Sequence, residues 1–500
     1  MKSLAELGLR AQGGAEAQIN GLAVDSRQVK PGFLFAALPG AQVHGGEFIQ
    51  YALRMQAAAI LTDAKGAEIA AQELAASDAA LIIAEDPRQT LAQTASLWFG
   101  PHPASVVAVT GTNGKTSVAT FCRQIWEEME LAAINLGTTG VEGAWTDPLQ
   151  HTKLEPTTPQ PITLHRVLAE ARDHGVTHVA MEASSHGLDQ RRLDGVVLAA
   201  AGFSNFTQDH LDYHETSEAY FEAKMGLFRR VLSEDGVAVI NLDDPHGAQV
   251  AEICTARGQE VISVGHYSDA RLRLTAQRFD GTGQDILFTW QGKSHQARLN
   301  LIGGFQGENV LLAAGLVIAA GAPPEDVFDT LPHLHTVRGR MQLAATRENG
   351  AAVFVDYAHT PDAVKSALQA MKPHVMGRTI ALVGAGGDRD PGKRPLMGAA
   401  AAQNADIVIV TDDNPRSEDP ASIRAAVMAG AVGAGGTDSI TEVGDRAEAI
   451  LRGIDMLAPG DALLIAGKGH ETGQIVGDTV LPFDDVEQAS VAVAALEGRI

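Results

Sequence analysis

The chain has 500 residues, a length that predicts two to four domains, because a single hydrophobic core rarely extends beyond about 250–300 residues. Its apolar content of 45% and charged content of 20% exclude a disordered chain, and its net charge of −23 excludes a general nucleic-acid-binding surface. Its two cysteines, Cys122 and Cys254, exclude a disulfide framework and a Cys-x-x-Cys metal site, which indicates a reduced cytoplasmic protein.

The sequence predicts no membrane insertion. The N-terminal stretch MKSLAELGLRAQGG lacks the apolar core of a signal peptide. The longest apolar stretch, residues 310–322, is too short to span a bilayer and is rich in alanine and glycine, so it predicts a buried helix. We expect a cytoplasmic monomer.

Short apolar strands alternate with alanine-rich helical segments over residues 1–98, which predicts a small α/β domain. The segment FGPHPAS, residues 99–105, has the composition of a linker. Residues 106–129 then combine an apolar strand, a glycine loop and an amphipathic helix, and similar units follow. Residues 265–300 alternate apolar and polar positions, which indicates a small antiparallel element before a helix at 306–322.

The last third of the chain repeats the strand–loop–helix unit. Each apolar strand ends in a polar loop that contains glycine, and the ligands of open parallel sheets bind at the carboxyl ends of the strands. The sequence therefore predicts three α/β domains: residues 1–98, residues 99–335 with a mostly parallel sheet around the glycine loop, and residues 336–500 with a Rossmann-like arrangement.

The segment GTNGKTS, residues 111–117, has the composition of a phosphate-binding loop. It lies between a strand and a helix, so its backbone N–H groups and the helix N-terminus face an anion. Lys115 supplies a positive charge for the β- and γ-phosphates of ATP, and the Thr116 hydroxyl is a ligand for Mg²⁺. Val109 replaces the first glycine of the general pattern, and an ordinary capped helix is the alternative. The predicted ATP-binding residues of this loop are Gly111, Thr112, Asn113, Gly114, Lys115, Thr116 and Ser117.

The segment VTDDNPRSEDP, residues 410–420, places Asp413, Asn414 and Arg416 directly after an apolar strand. A solvated loop often has this composition. A guanidinium near a carboxylate, on a turn stiffened by proline, is also suited to a ligand that carries both charges. Taken alone, this stretch leaves both interpretations open.

A series of motifs occurs in order along nearly the whole chain. After VDSRQVKPGFLFAALPG near the start, these are TGTNGKTS, EASSHGLDQRR, NFTQDHLDYH, FEAK, GRMQ, DYAHTPDA, GDRDPGKRPLM, DNPR and GKGHE. The ordered set resembles the Mur ligases, which build the peptide stem of bacterial cell-wall precursors, and within that family the branch that adds 2,6-diaminopimelate. No single motif is unique to the family, but the combination is specific.

The resemblance implies a ligase that uses ATP to convert a substrate carboxylate into an acyl phosphate, which an amine then attacks. It implies a catalytic set of Lys115 and the ligands of two Mg²⁺ ions, which are Thr116, Glu182, His210 and a carbamylated Lys224. Carbamylation needs the neutral amine, which burial or neighbouring positive charge favours. From the residues alone, His210 is an ordinary loop histidine and Lys224 is one lysine of an amphipathic helix. On the ATP side the resemblance adds Asn309, Arg340 and Asp356.

The resemblance also implies a UDP-N-acetylmuramoyl dipeptide as a substrate, with its uridine portion on the N-terminal domain. Hydroxyl, amide and guanidinium groups suit the phosphate and carboxylate oxygens of such a molecule. Pro156 and Gln306 depart from the family pattern, in which asparagine is common at both positions. The implied contacts are Val24, Ser26, Ala41, Gln42, Val43, Thr157, Thr158, Ser184, Gln190 and Arg192.

For the amino acceptor, the resemblance implies meso-diaminopimelate rather than lysine. Diaminopimelate ends in an ammonium and a carboxylate, and a bidentate pair between Arg416 and that carboxylate favours it over lysine, which ends in an ammonium alone. Asp413 and Asn414 are then suited to the ammonium. The implied acceptor residues are Arg389, Asp413, Asn414, Pro415, Arg416, Gly467 and Glu471.

Three alternatives remain open. A lysine-adding Mur ligase shares the fold, and a folylpolyglutamate-type ligase shares the phosphate loop and the acyl-phosphate chemistry. A nucleotide-gated switch would use GTNGKTS only to sense ATP. The N-terminal domain together with DNPR disfavours the folate ligase, and the polar residues at many strand ends disfavour the switch. The implied partners are small molecules, and neither nucleic acid nor a membrane.

Overall fold

The structure, a computed structural model, describes residues 1–40, 43–143, 157–207, 211–437 and 439–499, without the side chains of residues 211 and 212. Three of the predicted site residues, Ala41, Gln42 and His210, lie outside these ranges, as does Pro156. The chain divides into two compact units, residues 1–270 with 312–324 and residues 271–311 with 325–500.

The first part of the chain contains a small parallel sheet. Its strands and helices are β1 (Lys2–Ser3), β2 (Gln18–Ile19), β3 (Gly21–Ala23), β4 (Phe33–Ala36), α1 (Ile49–Arg54), β5 (Ala59–Thr62), α2 (Ala64–Ile69), α3 (Ala71–Ala75), β6 (Ala80–Ile83) and α4 (Pro87–Phe99). Strands β3, β4, β5 and β6 form the parallel sheet in that order, and β1 pairs with β2 antiparallel. Helix α4 begins after Asp86, whose carboxylate accepts a hydrogen bond from the Gln89 N–H at 3.1 Å. The four strands predicted from apolar runs in this region are confirmed.

A larger, mostly parallel sheet follows. Its strands and helices are β7 (Ser105–Thr110), α5 (Lys115–Glu128), β8 (Ala133–Gly137), β9 (Gly140–Gly143), α6 (Pro161–Asp173), β10 (His178–Glu182), α7 (Ser185–Asp189), β11 (Ala200–Phe203), α8 (Leu211–His214), α9 (Ser217–Gly226), β12 (Val237–Asn241), α10 (Gly247–Ala256) and β13 (Glu260–Gly265). The strand order is β9–β8–β10–β7–β11–β12–β13, and only β9 runs antiparallel to its neighbour. Strand β7 is buried along its whole length, as is typical of a central parallel strand. Because the strand order reverses beside β7, the loop at its carboxyl end lies where such sheets bind ligands.

An antiparallel meander and two helices come next. They are β14 (Leu272–Asp280), β15 (Gly283–Trp290), β16 (Lys293–Leu299), α11 (Phe305–Ala319) and α12 (Pro324–Thr330). The antiparallel element predicted at residues 265–300 is confirmed, with β15 paired to both β14 and β16. The stretch predicted as a buried helix lies largely in α11, where residues 310–314 are buried. Among the described residues, no helix has the length and apolar character needed to cross a membrane.

The last part of the chain forms a second large sheet. Its strands and helices are β17 (Gln342–Thr346), β18 (Ala352–Asp356), α13 (Pro361–Met371), β19 (Thr379–Val383), α14 (Lys393–Asn404), β20 (Ile407–Val410), α15 (Pro420–Ala434), β21 (Ile440–Glu442), α16 (Arg446–Asp455), β22 (Ala462–Ala466), β23 (Gly473–Val476), β24 (Thr479–Pro482) and α17 (Asp485–Leu496). The strand order is β17–β18–β22–β19–β20–β21, parallel except for β17, and β23 and β24 form a separate hairpin. The predicted α/β class with mostly parallel sheets is confirmed.

Apolar side chains cover both faces of this six-stranded sheet. Successive residues of β22 belong to different layers, since Leu464 packs in the cluster that contains Val364 of α13, whereas Leu463 packs with Ile450 of α16. The sheet is therefore a buried scaffold. Because β22 is inserted between β18 and β19, the loops that follow these strands and β20 meet at one edge of the sheet.

Candidate active site

The loop between β7 and α5 requires glycine at two positions. Gly111 has a φ of +150°, and a Cβ added there would lie 2.0 Å from Ser204 Oγ. Gly114 has a φ of +87° and directly precedes α5. Thr116 and Ser117, on the first turn of the helix, are buried. The strand–loop–helix geometry predicted for this segment is present.

Residues that follow β11 hold the phosphate loop in place. The Thr112 N–H donates to the Asn205 carbonyl at 2.9 Å, and Thr112 Oγ1 donates to the Thr207 carbonyl at 3.0 Å. The Asn113 N–H donates to Asn205 Oδ1 at 2.9 Å, and Ser204 Oγ donates to the Asn113 carbonyl at 2.6 Å. These bonds fix the loop backbone before any nucleotide binds, which reduces the entropy lost on binding.

Two lysines of the predicted catalytic set meet at one carbonyl oxygen. Lys115 Nζ donates to the carbonyls of Gly111 and Thr112 at 2.9 and 2.8 Å. Lys224 Nζ, on α9, donates to the same Gly111 carbonyl at 2.7 Å. The Lys224 residue is only 1% exposed, and its Nζ lies 4.3 Å from the centre of the Tyr220 ring. The structure therefore brings Lys224 against the phosphate loop, as the resemblance implies.

Glu182 ends β10, and the loop after β8 holds its carboxylate. Oε1 accepts the Thr138 N–H at 2.7 Å, and Oε2 accepts the Thr138 hydroxyl at 3.2 Å. A Cβ added at Gly137 would lie 2.0 Å from Glu182 Oε1, so the carboxylate needs glycine beside it. A buried carboxylate and the Thr116 hydroxyl are hard oxygen ligands, and this donor set fits Mg²⁺. His210 cannot be placed, because it lies outside the described residues.

A chain of hydrogen bonds joins four of the residues predicted for the UDP-sugar substrate. Thr158 Oγ1 donates to the Glu182 carbonyl and accepts the Ser184 N–H, both at 2.9 Å. Arg192 donates to the Thr158 carbonyl and to Gln190 Oε1, both at 2.7 Å. Burial lowers the pKa of the Arg192 guanidinium. This chain links the predicted dipeptide contacts to the predicted metal ligand.

Three more of the predicted UDP-sugar residues lie at the small N-terminal sheet. A cavity of about 710 Å³ lies there, lined by Val24, Ser26 and Val43. Its volume falls within the range of about 300–1,000 Å³ that is typical of small-molecule sites. Phe35 and Tyr51 also line this cavity and were missed by the sequence analysis, because single aromatic residues in a strand and a helix carry no recognisable pattern.

Asp356 ends β18 and is held by backbone donors on two sides. Its Oδ2 accepts the Met341 N–H at 2.7 Å, and its Oδ1 accepts the Ala358 N–H at 2.8 Å. Burial raises the pKa of the Asp356 carboxyl, although the charge of Arg340 and these two hydrogen bonds oppose the rise. The Arg340 guanidinium lies 4.8 Å from the centre of the Tyr357 ring. The structure therefore groups two of the three further ATP-side residues.

Asn309, the third of these residues, lies on α11. Its Nδ2 donates to Gln306 Oε1 at 3.2 Å, and both side chains are buried. Asn309 belongs to the second compact unit, and the phosphate loop belongs to the first.

The loop after β20 contains Pro415 and Arg416 and is fastened to its neighbours. The Arg416 N–H donates to the Ile475 carbonyl at 3.0 Å, and the Arg416 carbonyl accepts the Gly477 N–H at 2.7 Å. Arg416 has a φ of +51°, which is uncommon for a residue other than glycine. Its Nη1 donates to the Gly387 carbonyl at 2.7 Å, and a Cβ added at Gly387 would lie 1.9 Å from the Pro415 oxygen. The backbone and the guanidinium are therefore both held.

Two predicted acceptor residues lie beside one glycine. A Cβ added at Gly386 would lie 2.8 Å from Arg416 Nη1 and 3.8 Å from Arg389 Cγ. Arg389 is exposed and donates to the Asp388 carbonyl at 3.1 Å. The Asp388 carboxylate accepts the Ser417 hydroxyl at 2.6 Å, which ties the two loops together. Arginine side chains suit a carboxylate ligand.

Asp413 and Asn414 are buried, so the solvated-loop interpretation is wrong for these two residues. Asn414 Nδ2 donates to Glu471 Oε2 at 2.8 Å. A Cβ added at Gly467 would lie 3.3 Å from Asp413 Oδ2. Burial raises the pKa of the Glu471 carboxyl, although the hydrogen bond from Asn414 opposes the rise. The loops after β20 and β22 therefore bring these four predicted acceptor residues together.

The sequence analysis missed two polar residues that the structure places among the predicted ones. Thr138 binds Glu182 and also lies 3.2 Å, between hydroxyl oxygens, from Thr157. Its signal is the polar pair that follows the apolar run INLG. Lys468 contacts both Asp413 and Glu471, and its signal is its position inside GKGHE, between two assigned residues.

Models of the Mur ligases match three successive parts of the chain. The Mur ligase family catalytic domain matches residues 18–98, the Mur ligase middle domain residues 109–317, and the Mur ligase glutamate ligase domain residues 339–469. A relative from Bradyrhizobium diazoefficiens is 47% identical over 96% of each chain, and one from Caulobacter vibrioides is 47% identical over 96% of each chain. The chain belongs to the Mur ligase family.

Both of these Mur ligases are called UDP-N-acetylmuramoyl-L-alanyl-D-glutamate–2,6-diaminopimelate ligase. A solved structure with the same name is 33% identical, has a TM-score of 0.69, and is similar over 96% of this chain and 95% of that one. A folylpolyglutamate synthase from Mycobacterium tuberculosis, complexed with ADP, is 19% identical with a TM-score of 0.62, over 83% of this chain and 95% of that one, and shows a shared fold only. The family predicted from the ordered motifs is confirmed, together with its three-domain architecture. The predicted boundaries at 98 and 335 stay a prediction.

Proposed function

We propose that this Mur ligase joins 2,6-diaminopimelate to UDP-N-acetylmuramoyl-L-alanyl-D-glutamate, with ATP, in the synthesis of peptidoglycan precursors. The observation that carries this proposal is the acceptor pocket. Arg389 and Arg416 lie beside Gly386, while Asp413 and Glu471 both contact Lys468. Guanidiniums suit a carboxylate and carboxylates suit an ammonium, and the distal end of diaminopimelate carries both groups.

The reaction takes place in two steps. A carboxylate oxygen of the UDP-sugar dipeptide attacks the γ-phosphorus of ATP, which forms an acyl phosphate and releases ADP. The acceptor amine then attacks the acyl carbon, phosphate leaves, and the amine loses a proton as the amide forms. The chain therefore has to hold a polyanionic triphosphate close to a carboxylate, and positive charge and hydrogen-bond donors are what this requires.

The phosphate loop supplies those donors on the ATP side. Its backbone is held by Asn205, and Lys115 lies against the loop carbonyls from which its ammonium can reach a bound phosphate. Thr116 and Glu182 are the described residues that would hold Mg²⁺, and His210 and a carbamylated Lys224 complete the proposed ligands. Bound Mg²⁺ would neutralise phosphate charge and so allow the carboxylate to approach.

Carbamylation of Lys224 is part of this proposal. The ammonium would first lose a proton, the Nζ lone pair would attack the carbon of CO₂, and the nitrogen would release a second proton, so that an anion replaces a cation. The burial of Lys224 favours the neutral amine that this step needs, and its position at the Gly111 carbonyl places the product beside the phosphate loop.

The UDP-sugar end of the substrate is assigned to the cavity lined by Val24, Ser26 and Val43. Its volume and its mixed apolar and polar lining suit a nucleoside. Thr158, Ser184, Gln190 and Arg192 are proposed for the remaining contacts, because their hydrogen-bond chain ends at Glu182, and Thr157 is added because Thr138 links it to the same residue. A cytoplasmic location and a monomeric state, both expected from the sequence, belong to the same proposal.

One assay tests the proposal directly. The purified protein is incubated with ATP, Mg²⁺ and the UDP-sugar dipeptide, with either meso-diaminopimelate or L-lysine as the acceptor. The products are identified by their masses in mass spectrometry. We expect ADP, phosphate and a product heavier by one diaminopimelate residue. Predominant lysine transfer would make the chain a lysine-adding ligase, and turnover of a folate substrate would make it a folylpolyglutamate-type ligase. ATP hydrolysis that needs no acceptor would favour a nucleotide switch.

A further inference from the structure

Lys468 is a fully buried lysine in the loop after β22. Its side chain has no solvent exposure. Its Nζ donates to Asn414 Oδ1 and to the Gly473 carbonyl, both at 2.8 Å. The same nitrogen lies 3.4 Å from Asp413 Oδ1 and 3.6 Å from Glu471 Oε2. Lysine is rarely buried unless it is paired, so this ammonium stabilises a specific arrangement of its neighbours.

A second buried pair lies behind this cluster and is electrically neutral. Arg446 Nε and Nη2 donate to the two carboxylate oxygens of Asp485 at 2.8 and 2.7 Å, and both side chains are fully buried. Arg446 also donates to the Asp412 and Ala466 carbonyls, next to the loops that carry the acceptor residues. The Arg446–Asp485 pair therefore anchors the loops but leaves their charge balance unchanged.

Lys468 contacts two carboxylates. Lys468 carries one positive charge, whereas Asp413 and Glu471 carry two negative ones. Burial raises the pKa of the Glu471 carboxyl, and Asp413 raises it further, whereas Asn414, Lys468 and Arg416 lower it. Without Lys468, Glu471 would lose one of the charges that lower its pKa and would still face Asp413, so its protonated form would be favoured. Lys468 therefore favours the ionised form of Glu471.

Lys468 also sets the orientation of the Asn414 amide. Asn414 Oδ1 accepts from Lys468 Nζ at 2.8 Å and from the Ile475 N–H at 2.9 Å, so its two donors fix which end of the amide is the oxygen. The Nδ2 end is then directed at Glu471 Oε2. The lysine thereby positions Glu471 through Asn414, in addition to its direct charge.

We propose that Lys468 is a positioning residue for the amino acceptor: its ammonium keeps Glu471 ionised and holds the Asn414 amide on Glu471, so that this carboxylate can receive an acceptor that carries an ammonium. This inference rests on the proposed function, because it takes Asp413 and Glu471 as the partners of the acceptor ammonium. Lys468 itself touches neither substrate nor the reacting atoms in this scheme.

The decisive variant is Lys468→Met, which removes the charge and keeps the length of the side chain. If Lys468 keeps Glu471 ionised, the variant loses acceptor binding at low pH, where Glu471 becomes protonated. At high pH Glu471 ionises even without the lysine. Variant and wild type therefore converge as the pH rises.

Glu471 is the group whose protonation is proposed to lower kcat/KM for diaminopimelate at low pH. The other titratable or charged groups that interact with it are Asp413, Arg416, Tyr357, Arg446 and Lys468. In Lys468→Met, Lys468 is the one of these groups that is replaced. A shift in the pH at which kcat/KM falls therefore reports the loss of that single charge.

The measurement is kcat/KM for diaminopimelate and for ATP, in the variant and the wild type, between about pH 6 and pH 9. We expect kcat/KM for diaminopimelate to fall by about 10- to 100-fold at the acid end, because a hydrogen-bonded charge is lost. The ratio of variant to wild type should rise towards one at the alkaline end, and KM for ATP should stay within about twofold. A loss that is equal at every pH, or no loss, would overturn the proposal.

Three further variants keep the result interpretable. Lys468→Arg keeps the charge and should show a ratio to wild type that does not change with pH. Lys365→Met, at an exposed lysine of α13, is the matched control and should behave as wild type. If thermal melting shows that Lys468→Met does not fold, Lys468→Gln takes its place, because glutamine keeps a donor for Asn414 without the charge. The same pH-dependent ratio is expected for it, and a flat ratio would overturn the proposal equally.

The last comparison separates this inference from the proposed function. Glu471→Gln and the double variant Lys468→Met/Glu471→Gln should have equal kcat/KM for diaminopimelate, because Lys468 acts through Glu471. If Glu471→Gln and Arg416→Ala both leave the acceptor kinetics unchanged, the acceptor pocket of the proposed function is wrong. If these two variants weaken diaminopimelate but Lys468→Met shows no pH-dependent loss, the role of Lys468 alone is wrong.

Discussion

The phosphate loop and the loop after β20, residues 411–416 and the proposed acceptor loop, both follow a buried parallel strand, yet they are built in different ways. The phosphate loop is mainly backbone, shaped by Gly111 and Gly114 and held by the segment after β11. The acceptor loop is mainly side chains, and its neighbours come from the loops after β19 and β22 and from the hairpin β23–β24.

This difference determines which substitutions each loop tolerates. A backbone site depends on the few residues that permit its φ angles, and every peptide N–H in it is chemically the same. A side-chain site depends on the identity of charged groups, and a single replacement can change which ligand is preferred. We therefore expect changes in the phosphate loop to affect all turnover, and changes in the acceptor loop to affect mainly the choice of amino acid.

Arg416→Ala is expected to have the largest effect. Loss of a charge-assisted bidentate pair costs about 2–5 kcal/mol when its partner charge stays buried, so kcat/KM for diaminopimelate should fall by about 30- to 5,000-fold. The kcat/KM for lysine, which has no distal carboxylate, should fall much less. Arg416→Lys should restore only part of the loss, since an ammonium cannot reproduce the planar fork of the guanidinium.

The measurement for Arg416 is kcat/KM for diaminopimelate, lysine and ATP in the wild type and both variants. Arg452→Ala, at an arginine of α16 whose side chain is 58% exposed, is the matched control. If the ratio between the two amino acids hardly changes, Arg416 does not discriminate between them, and the contrast between the two loops is weaker than described.

Lys115→Ala should abolish most ligation and leave the fold intact, because the lysine contributes charge and no packing of the core. Removal of one preorganised electrostatic group typically lowers kcat by about 100- to 1,000-fold. We expect the same decrease with diaminopimelate and with lysine. Turnover and thermal melting are measured beside Lys65→Ala, at an exposed lysine of α2. Turnover close to wild type in the folded variant would contradict the assignment of the ATP site.

Lys224→Ala should reduce turnover by about 100-fold, because a group close to the proposed metal site is lost. Short carboxylic acids added to the assay should restore part of the activity, since they can occupy the place of the carbamate. With carbon-13-labelled bicarbonate, the NMR spectrum of the wild type should contain a carbamate resonance that is absent from the spectrum of the variant. Full activity of Lys224→Ala, or a free amine in the active wild type, would disprove the carbamate.

Gly111→Ala tests the backbone site with the smallest expected effect. The left-handed φ and the 2.0 Å approach of Ser204 Oγ should together cost about 1–3 kcal/mol of stability and weaken ATP binding. Gly258→Ala is the control, because its φ of +82° is also unfavourable for alanine but no atom lies within 4 Å of the added Cβ. If the two variants melt at the same temperature, the contact with Ser204 contributes nothing.

Sequence patterns predicted the elements well because each pattern is local. Apolar runs gave the parallel strands, the alternation at 265–300 gave the meander, and glycine with lysine before a helix gave the phosphate loop. The order of strands in the sheets is a long-range property, and no run of residues encodes that β22 lies between β18 and β19. Which strand ends meet was therefore supplied by the resemblance and not by periodicity.

The parts of the site that were not predicted share a physical reason. Lys468 and Thr138 matter because of partners far away in the sequence, and their own neighbours carry only a weak signal. Arg446 and Asp485 are charged, a property that in a sequence indicates a solvated surface, yet together they are fully buried. Burial of a charged residue depends on its partner, so neither residue alone predicts the pair.

The left-handed backbone of Arg416 links specificity to stability. A residue with a Cβ pays roughly 1–2 kcal/mol for this conformation, which glycine avoids. Laboratory evolution under selection for heat resistance alone would thus favour glycine at position 416. The proposed preference for diaminopimelate over lysine would weaken, and the use of ATP would not change. Selection for growth that requires the correct amino acid in the cell wall would restore arginine at this position. The recognition proposed for this loop is therefore maintained against the thermodynamic preference of its own main chain.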